Sequence, residues 1–428
     1  MDNEYLKIYQ NRSIYFHNSN QAEYQEGPQS DIARQNQQVI KEKLNNGFLD
    51  DLIGNSSLSE DEESELNKNL TEAIHKLVNS ITSEVGRAIV GLSILQLIIK
   101  SIVPSQSIRL HKASQSRSSF SWVDGLAMRT IDKEFITPKL RKSNLLKLNV
   151  DGFMMTRSLA ENYPYTSLYK ANIRGAKNEW IYIVDQIEQN PNLALPHLKI
   201  LINSLKQRAN DFEKLVKIAE EKIRSFLLKT KNVKTLREKL FSLPESSSYS
   251  ARLFEILIHS FYCTVSDMNL NDNFLKPLSQ MRSANKKHGN IGDIELLEKP
   301  DSMLIIESWD AKYGKPYLRD ELEELKDKLE NHPETRIAGF ITNSAPTKNK
   351  EILDRKTELE DMFDVSIRID SIEEWYSDKL NQYRIKDELT LLANWITTFF
   401  QYLSLKRYDI APIDEPTAAW IQESLMKF

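Results

Sequence analysis

The period of the apolar positions changes along the chain, and each change predicts an element. Residues 1 to about 65 hold no sustained period; they are polar, rich in Asn, Gln and Ser, and end in the acidic run Glu60, Asp61, Glu62, Glu63, Glu65. That composition predicts a weakly structured arm and linker. From Leu70 to Val103 apolar residues recur at helical spacing and Pro104 supplies a stop, which predicts one long or two short helices. From Leu198 to Phe226 they fall at 198, 201, 205, 209, 212, 216, 219, 223 and 226, the steps of three and four of a long amphipathic helix. Its stripe suits internal packing as a connecting helix, or a dimer seam. The polar LPESSSYS at 243–250 opens a last domain.

Beyond residue 248 helical and strand patterns alternate. A helix is predicted over Ser250 to Thr264, strands near Gly292 to Leu297 and over Met303 to Ala311, and a helix over Pro316 to Glu330. A strand Arg336 to Thr342, a helix Lys348 to Met362, a strand Val365 to Ile369 and a helix from Ser371 complete the run. This is an α/β sandwich order. In the middle, a helical stretch around Ile131 to Ser143, complicated by Pro138, leads into LLKLN, a turn at Val150-Asp151-Gly152, and FMMTR. Helix followed by hairpin is a winged-helix pattern.

Charge adds a reason to read that pattern as a nucleic-acid reader. The chain carries −4 overall, yet residues 101–180 and 181–250 carry +7 and +4 against −6 for 1–100 and −9 for the remainder. A basic middle in an acidic chain suggests a polyanion partner, or a solvated face that balances its neighbours. In a DNA-binding winged helix, Lys133, Lys139, Arg141 and Lys142 would enter the major groove while Lys147 and Arg157 reach phosphates. Arg109, Lys112 and Arg129 complete the candidate DNA-binding set.

The chemistry-bearing constellation lies in the last domain. Asp293 stands in GDIELL, and Asp310 and Lys312 stand two apart in LIIESWDAKYG, hence on one face of a strand. Two carboxylates at a strand end can bind Mg²⁺ through oxygen; the ion would polarise a scissile phosphate and lower the pKa of an attacking water. Lys312 could orient that water, stabilise the developing oxyanion, or accept a proton if burial lowers its pKa. Glu255, on the preceding helix, and Glu295, on the face of Asp293, are further candidates for the metal site. Glu307 falls on the opposite strand face and reads as structural.

These residues, in the order helix, strand, strand, helix, strand, resemble the PD-(D/E)XK nuclease superfamily, whose best-known members are type II restriction endonucleases. The likeness covers about residues 248 to 375. It implies that Asp293 and Asp310 ligate Mg²⁺, that Lys312 serves the nucleophile, and that Glu255 matches an acidic residue often present on the first helix. Gly292 departs from it, standing where the family often has proline.

The absences narrow the field further. The single cysteine, Cys263, excludes an internal disulfide and a zinc site built on two thiolates. No GxxxxGK[ST], HExxH, GxSxG or GxGxxG occurs, so an ATP motor, a zincin, a serine hydrolase and a dinucleotide enzyme have no support, and no nucleotide cofactor is expected. His288-Gly289-Asn290 is too sparse for a histidine-metal nuclease finger. The longest apolar run, Ala88 to Ile99, is too short to cross a bilayer, and MDNEYLKIYQ has no secretory apolar region; both predict a cytoplasmic protein without membrane association.

The domains expected are thus a polar arm and linker over 1–65, a helical and winged-helix-like basic DNA-binding region over 66–190, a connecting helix over 191–247, and a nuclease domain with C-terminal helices over 248–428. The fold class is α+β to α/β, a mostly helical N-terminal half before a restriction-endonuclease-like α/β/α core with a central mixed sheet. The function expected is a Mg²⁺-dependent type II restriction endonuclease, a homodimer on double-stranded DNA. The alternatives are a repair or antiviral nuclease on other nucleic acid, and a non-cutting DNA-binding regulator.

Overall fold

A computed structural model describes residues 4–17, 20–64, 66–82, 85–247, 249–279, 289–404 and 416–428. Glu65 and His288 lie outside these. The chain is a mixed α/β protein and divides into two compact units, Met1–Asp211 and Phe212–Phe428. Among the described residues no helix is long and apolar enough to cross a membrane.

The first unit opens on an antiparallel meander, β1 (Tyr5–Ile8), β2 (Arg12–His17) and β3 (Asn20–Gln25). Helices α1 (Asp31–Asn45), α2 (Phe48–Gly54) and α3 (Glu60–Ser64) follow. The expected weakly structured arm is therefore corrected. Ser30 caps α1 by accepting from the Ala33 amide, and Ile40, Leu44, Leu49 and Leu52 are buried in the core of the unit. Enough apolar surface is buried here to outweigh the polar composition between these positions.

The Leu70–Val103 pattern resolves into two helices, α4 (Lys68–Asn79) and α5 (Arg87–Ile102). Ile89 to Lys100 is buried without a break, so α5 is covered all round and forms the centre of the unit.

The basic segment that follows is helical but carries no wing. α6 (Met128–Ile131), a π-turn (Asp132–Ile136) and α7 (Thr137–Lys142) run on continuously, and the π-turn bonds the Thr137 amide to the Asp132 carbonyl just before Pro138, whose ring supplies no N–H. No strand forms from 144 to 157; Phe153–Met155 and Arg157–Leu159 are 3-10 turns. Leu145, Leu146, Leu148, Phe153 and Met154 are all buried, which a half-exposed hairpin cannot accommodate. The buried Asp132 holds this turn down, accepting from Thr137 Oγ1 at 2.6 Å and the Met154 amide at 2.8 Å. Burial pushes its pKa up to about 6.

After α8 (Lys177–Gln189), the predicted long helix is α9 (Ala194–Lys229), and the division between the units falls within it. In the second unit, α10 (Val233–Ser242) and α11 (Ser250–Asp267) precede a five-stranded sheet. Its strands are β4 (Phe274–Leu275), β5 (Ile294–Leu297), β6 (Ile305–Lys312), β7 (Thr335–Thr342) and β8 (Ser366–Ser371), hydrogen-bonded in that order. β4, β5 and β6 are antiparallel; β6, β7 and β8 are parallel. The parallel strands are joined through α12 (Arg319–Leu329) and α13 (Lys350–Phe363), as parallel pairs require.

Those two helices cover one sheet face: Leu322, Leu325 and Leu329 of α12 and Ile352 and Leu359 of α13 share a core with Ala338, Phe340, Ile367 and Ile369. The other face, with Ile294, Leu296, Trp309 and Ala311, packs against α11, α14 (Ile372–Gln382) and α15 (Glu388–Leu403). The last helix, α16 (Thr417–Leu425), joins that core through Trp420 and Ile421. Asn349 caps α13, and Ser371 with Glu374 forms a capping box on α14, so both helix starts are set locally.

Candidate active site

The site is built where β5 enters the sheet. Ile294 lies opposite Trp309 and Glu295 opposite Ser308; one further step of the same register sets Asp293 opposite Asp310. Residues directly opposite in an antiparallel pair point to the same face. Lys312 shares the face of Asp310, two residues along β6. The Asp293 amide donates to the Trp309 carbonyl at 2.9 Å, and Asp293 Oδ2 accepts from the Ala311 amide at 3.0 Å. The carboxylate thus continues the ladder where the backbone of β5 leaves off.

Gly292 makes this entry possible. A Cβ at that position would stand 2.7 Å from Ser308 Oγ and from the carbonyl carbon and oxygen of Trp309. Any residue with a Cβ, proline included, would collide there, which gives the departure at Gly292 a physical reason.

Lys312 Nζ lies 3.5 Å from Asp310 Oδ2 and 2.5 Å from Glu321 Oε2 of α12. Burial alone would lower its pKa. The carboxylates of Asp310, Glu321 and Asp293 outweigh that penalty and hold it above the ordinary lysine range. In this arrangement Lys312 is held as an ammonium ion, suited to orienting water or stabilising an oxyanion. Lys315 reaches the other oxygen of Glu321 at 3.1 Å, and Lys328 of α12 lies 3.2 Å from Asp310 Oδ2. Glu321 and Lys328 escape the sequence reading. The signal that could have found them is in RDELEELKDKL: Leu322, Leu325 and Leu329 fix the buried stripe, and positions 321 and 328 flank it on the side of Leu325.

Glu255 is not gathered into this group. It sits on α11, which covers the opposite sheet face, and its carboxylate is ion-paired with the buried Arg252, whose other nitrogen donates to the Ser279 carbonyl at 2.7 Å. Glu295 is occupied as well: Oε1 accepts from the Ile291 amide at 2.5 Å, and Oε2 binds Lys276 Nζ at 2.6 Å. Its carboxylate shapes the loop before Asp293 and is engaged there, with Lys276 and the Ile291 amide. Glu307 is structural, as its strand face predicts. It accepts from Tyr262 Oη at 2.7 Å, Trp309 Nε1 at 3.0 Å, Lys379 Nζ at 2.5 Å and Gln382 Nε2 at 2.7 Å.

Among the described residues no three His, Cys, Asp or Glu side chains cluster so as to hold a metal ion. Asp293 and Asp310 nevertheless fit Mg²⁺: both offer hard oxygen donors, and this ion is commonly held by one or two carboxylates with water completing its shell.

The nine candidate DNA-binding residues differ in exposure and in the partners they already hold. Arg109 is buried, donating to Asp185 Oδ1 at 2.5 Å and the Tyr165 carbonyl at 2.7 Å. Lys139 is paired with Asp50 at 2.7 Å, and Lys133 with Asp151 at 3.5 Å. Arg141 donates to the Leu148 carbonyl, Lys112 to Asn162, and Arg129 contacts the Met155 sulfur. Lys147 is half-buried; Lys142 and Arg157 are exposed. With no wing, Lys147 and Arg157 have no hairpin to ride on, and the major-groove placement of the four helical cations loses its structural basis.

Comparison with protein-family models finds no match, and neither does comparison with curated proteins. Fold and site together define a mixed α/β protein whose second unit sets two aspartates and a lysine on one face of its sheet.

Proposed function

We propose that the second unit hydrolyses phosphodiester bonds in DNA with Mg²⁺, as a PD-(D/E)XK nuclease core, and that the chain is a site-specific type II restriction endonuclease. The carrying observation is the register that puts Asp293 opposite Asp310 with Lys312 on the same face. Asp293 and Asp310 would hold Mg²⁺, which when bound supplies phosphate polarisation and a water of lowered pKa. Asp293 is fixed for this by the Ala311 amide. Lys312, kept charged by its carboxylate neighbours, orients the attacking water and offsets charge on the phosphate oxygens. Glu321 restrains the lysine ammonium group. Duplex DNA as substrate is supported by the resemblance, and a two-fold homodimer would give each strand its own site. Of the candidate DNA-binding residues, Arg129, Lys133, Lys142 and Arg157 are exposed.

One observation favours a second reading. Three lysines and three carboxylates, Lys312, Lys315, Lys328, Asp293, Asp310 and Glu321, balance one another within the site, as a purely structural charge network would. In that reading the chain is a DNA-binding regulator that does not cut.

Incubating the protein with phage DNA and Mg²⁺ or EDTA, beside the Lys312→Ala protein, separates the two. Discrete fragments that require both Mg²⁺ and Lys312 are expected. A folded protein that shifts DNA on a gel and leaves it intact would overturn the nuclease reading in favour of the regulator.

A further inference from the structure

The proposed chemistry gives no task to a lysine, other than Lys312, that reaches a proposed metal ligand. Lys328 projects from the last turn of α12, with its side chain 17% exposed, onto Asp310 Oδ2 at 3.2 Å, the same oxygen that Lys312 approaches to 3.5 Å. Asp310 Oδ2 thus already faces two ammonium groups. A divalent ion coordinated by Asp310 would need the space and the countercharge that these groups take, and like charges a few ångströms apart repel strongly in a half-buried site.

The two lysines are not equivalent in this respect. Lys312 has Glu321 at 2.5 Å and keeps that partner if it leaves Asp310. Lys328 is on a flexible four-carbon stem at the end of an amphipathic helix, beside the buried Leu325 and Leu329, and can swing outward to water. Its separation from Asp310 is therefore the less costly one.

We propose that Lys328 is a further determinant of the active site, a built-in counter-ion that competes with the divalent cation for Asp310 and so sets the ion concentration at which the site loads. This rests on the nuclease reading for the identity of the metal ligands. The competition itself is a statement about Lys328 and Asp310 alone, and needs no nucleic acid to be observed.

The test is a Mn²⁺ titration of the full chain without DNA, followed by the loss of the free-ion electron paramagnetic resonance signal, on the wild type and on Lys328→Gln, Lys328→Arg and Asp310→Asn. Lys328→Gln is expected to bind Mn²⁺ about tenfold more tightly or better, tenfold being ~1.4 kcal/mol. Lys328→Arg keeps the charge and should stay within about threefold of wild type. It also keeps the test decisive if the glutamine variant folds poorly, because an arginine variant with the affinity gain expected of glutamine would contradict a charge-based competition. Wild type and Lys328→Gln binding equally well, with binding lost in Asp310→Asn, would overturn the role of Lys328 and leave the nuclease reading in place. Absence of Mn²⁺ binding in every protein would overturn both.

Discussion

Replacing Gly292 by alanine tests the register on which the site depends. The added methyl carbon would lie 2.7 Å from three atoms of β6, where ordinary contacts begin near 3.4 Å. Ser308 Oγ can rotate away, but the Trp309 carbonyl carbon and oxygen belong to the backbone of a buried strand. β5 must therefore move off β6 by several tenths of an ångström. Overpacking of this kind costs about 1–3 kcal/mol. The same movement lengthens the Asp293 amide bond to Trp309 and the Ala311 amide bond to Asp293 Oδ2, each contributing about 0.5–1.5 kcal/mol. A total loss of about 2–6 kcal/mol is expected, with weaker Mn²⁺ binding because Asp293 is no longer held opposite Asp310. Urea unfolding, followed by tryptophan fluorescence, reads the first quantity and a metal titration the second. Gly54→Ala is the control: it lies in a helix, and a methyl group added there would meet nothing within 4 Å, so the change should be neutral or stabilise by about 0.4–1 kcal/mol. If Gly292→Ala unfolds and binds metal as the wild type does, the tight entry of β5 is not what positions Asp293.

Two further outcomes concern buried ionisable groups. Burial would raise the Glu307 pKa, but Lys379, Gln382 and Tyr262 hold it below the usual carboxylate range. Glu307→Ala strands a buried ammonium ion and should cost about 3–5 kcal/mol, much of it regained in Glu307→Ala/Lys379→Met; equal unfolding midpoints for the single and double variants would refute the ion pair as the source. In the first unit, burial against Tyr165, assisted by the charge of Lys112, pulls the His111 pKa down to about 4. A base whose folded pKa is depressed contributes stability that is present above its unfolded pKa of about 6.5 and is lost as the pH falls toward 4, here at most ~3 kcal/mol. His111→Phe should flatten that part of the stability profile while keeping the ring contact. An unchanged profile from pH 7 to pH 4 would mean that His111 does not carry the acid sensitivity.

The second unit is legible in sequence because its strands and helices differ sharply in period. IIESWDAK is a short strand-length segment with Ile305, Ile306, Trp309 and Ala311 between turn signals, while α12 and α13 show helical stripes between turns. The two-residue β4 is too short to leave a period. β1 to β3 go unread for another reason: one face of the meander is solvated, so Arg12, Gln21, Glu23 and Gln25 dilute the alternation in a segment already rich in Asn and Gln. The false hairpin fails on long-range packing. VDG followed by FMMTR has the local signal of a turn and a strand, but Gly152 lies so close to Asp132 that a Cβ there would collide with its Oδ2, and the Met154 amide bonds the same carboxylate. A buried aspartate twenty residues upstream decides the conformation, and no local period announces it.

The same distinction explains why the spacing argument and the charge argument fare differently. Net charge by segment treats each stretch as if it faced solvent by itself, whereas folding pairs the segments with one another. Lys139 from the basic stretch is neutralised by Asp50 from the acidic one, Glu134 returns the exchange with Lys41 at 2.8 Å, and Arg109 is taken up by Asp185. These exchanges run in both directions, two cations of residues 101–180 pairing outward and one of its carboxylates pairing inward, so segment charge does not by itself locate a basic surface and a polyanion partner does not follow from its size. The spacing of Asp310 and Lys312 makes a narrower claim, that two side chains share one strand face, and β6 satisfies it through backbone geometry alone. Asp293 needs one thing more, the antiparallel register of β5 on β6, and Gly292 is the residue that lets the two strands approach closely enough to supply it.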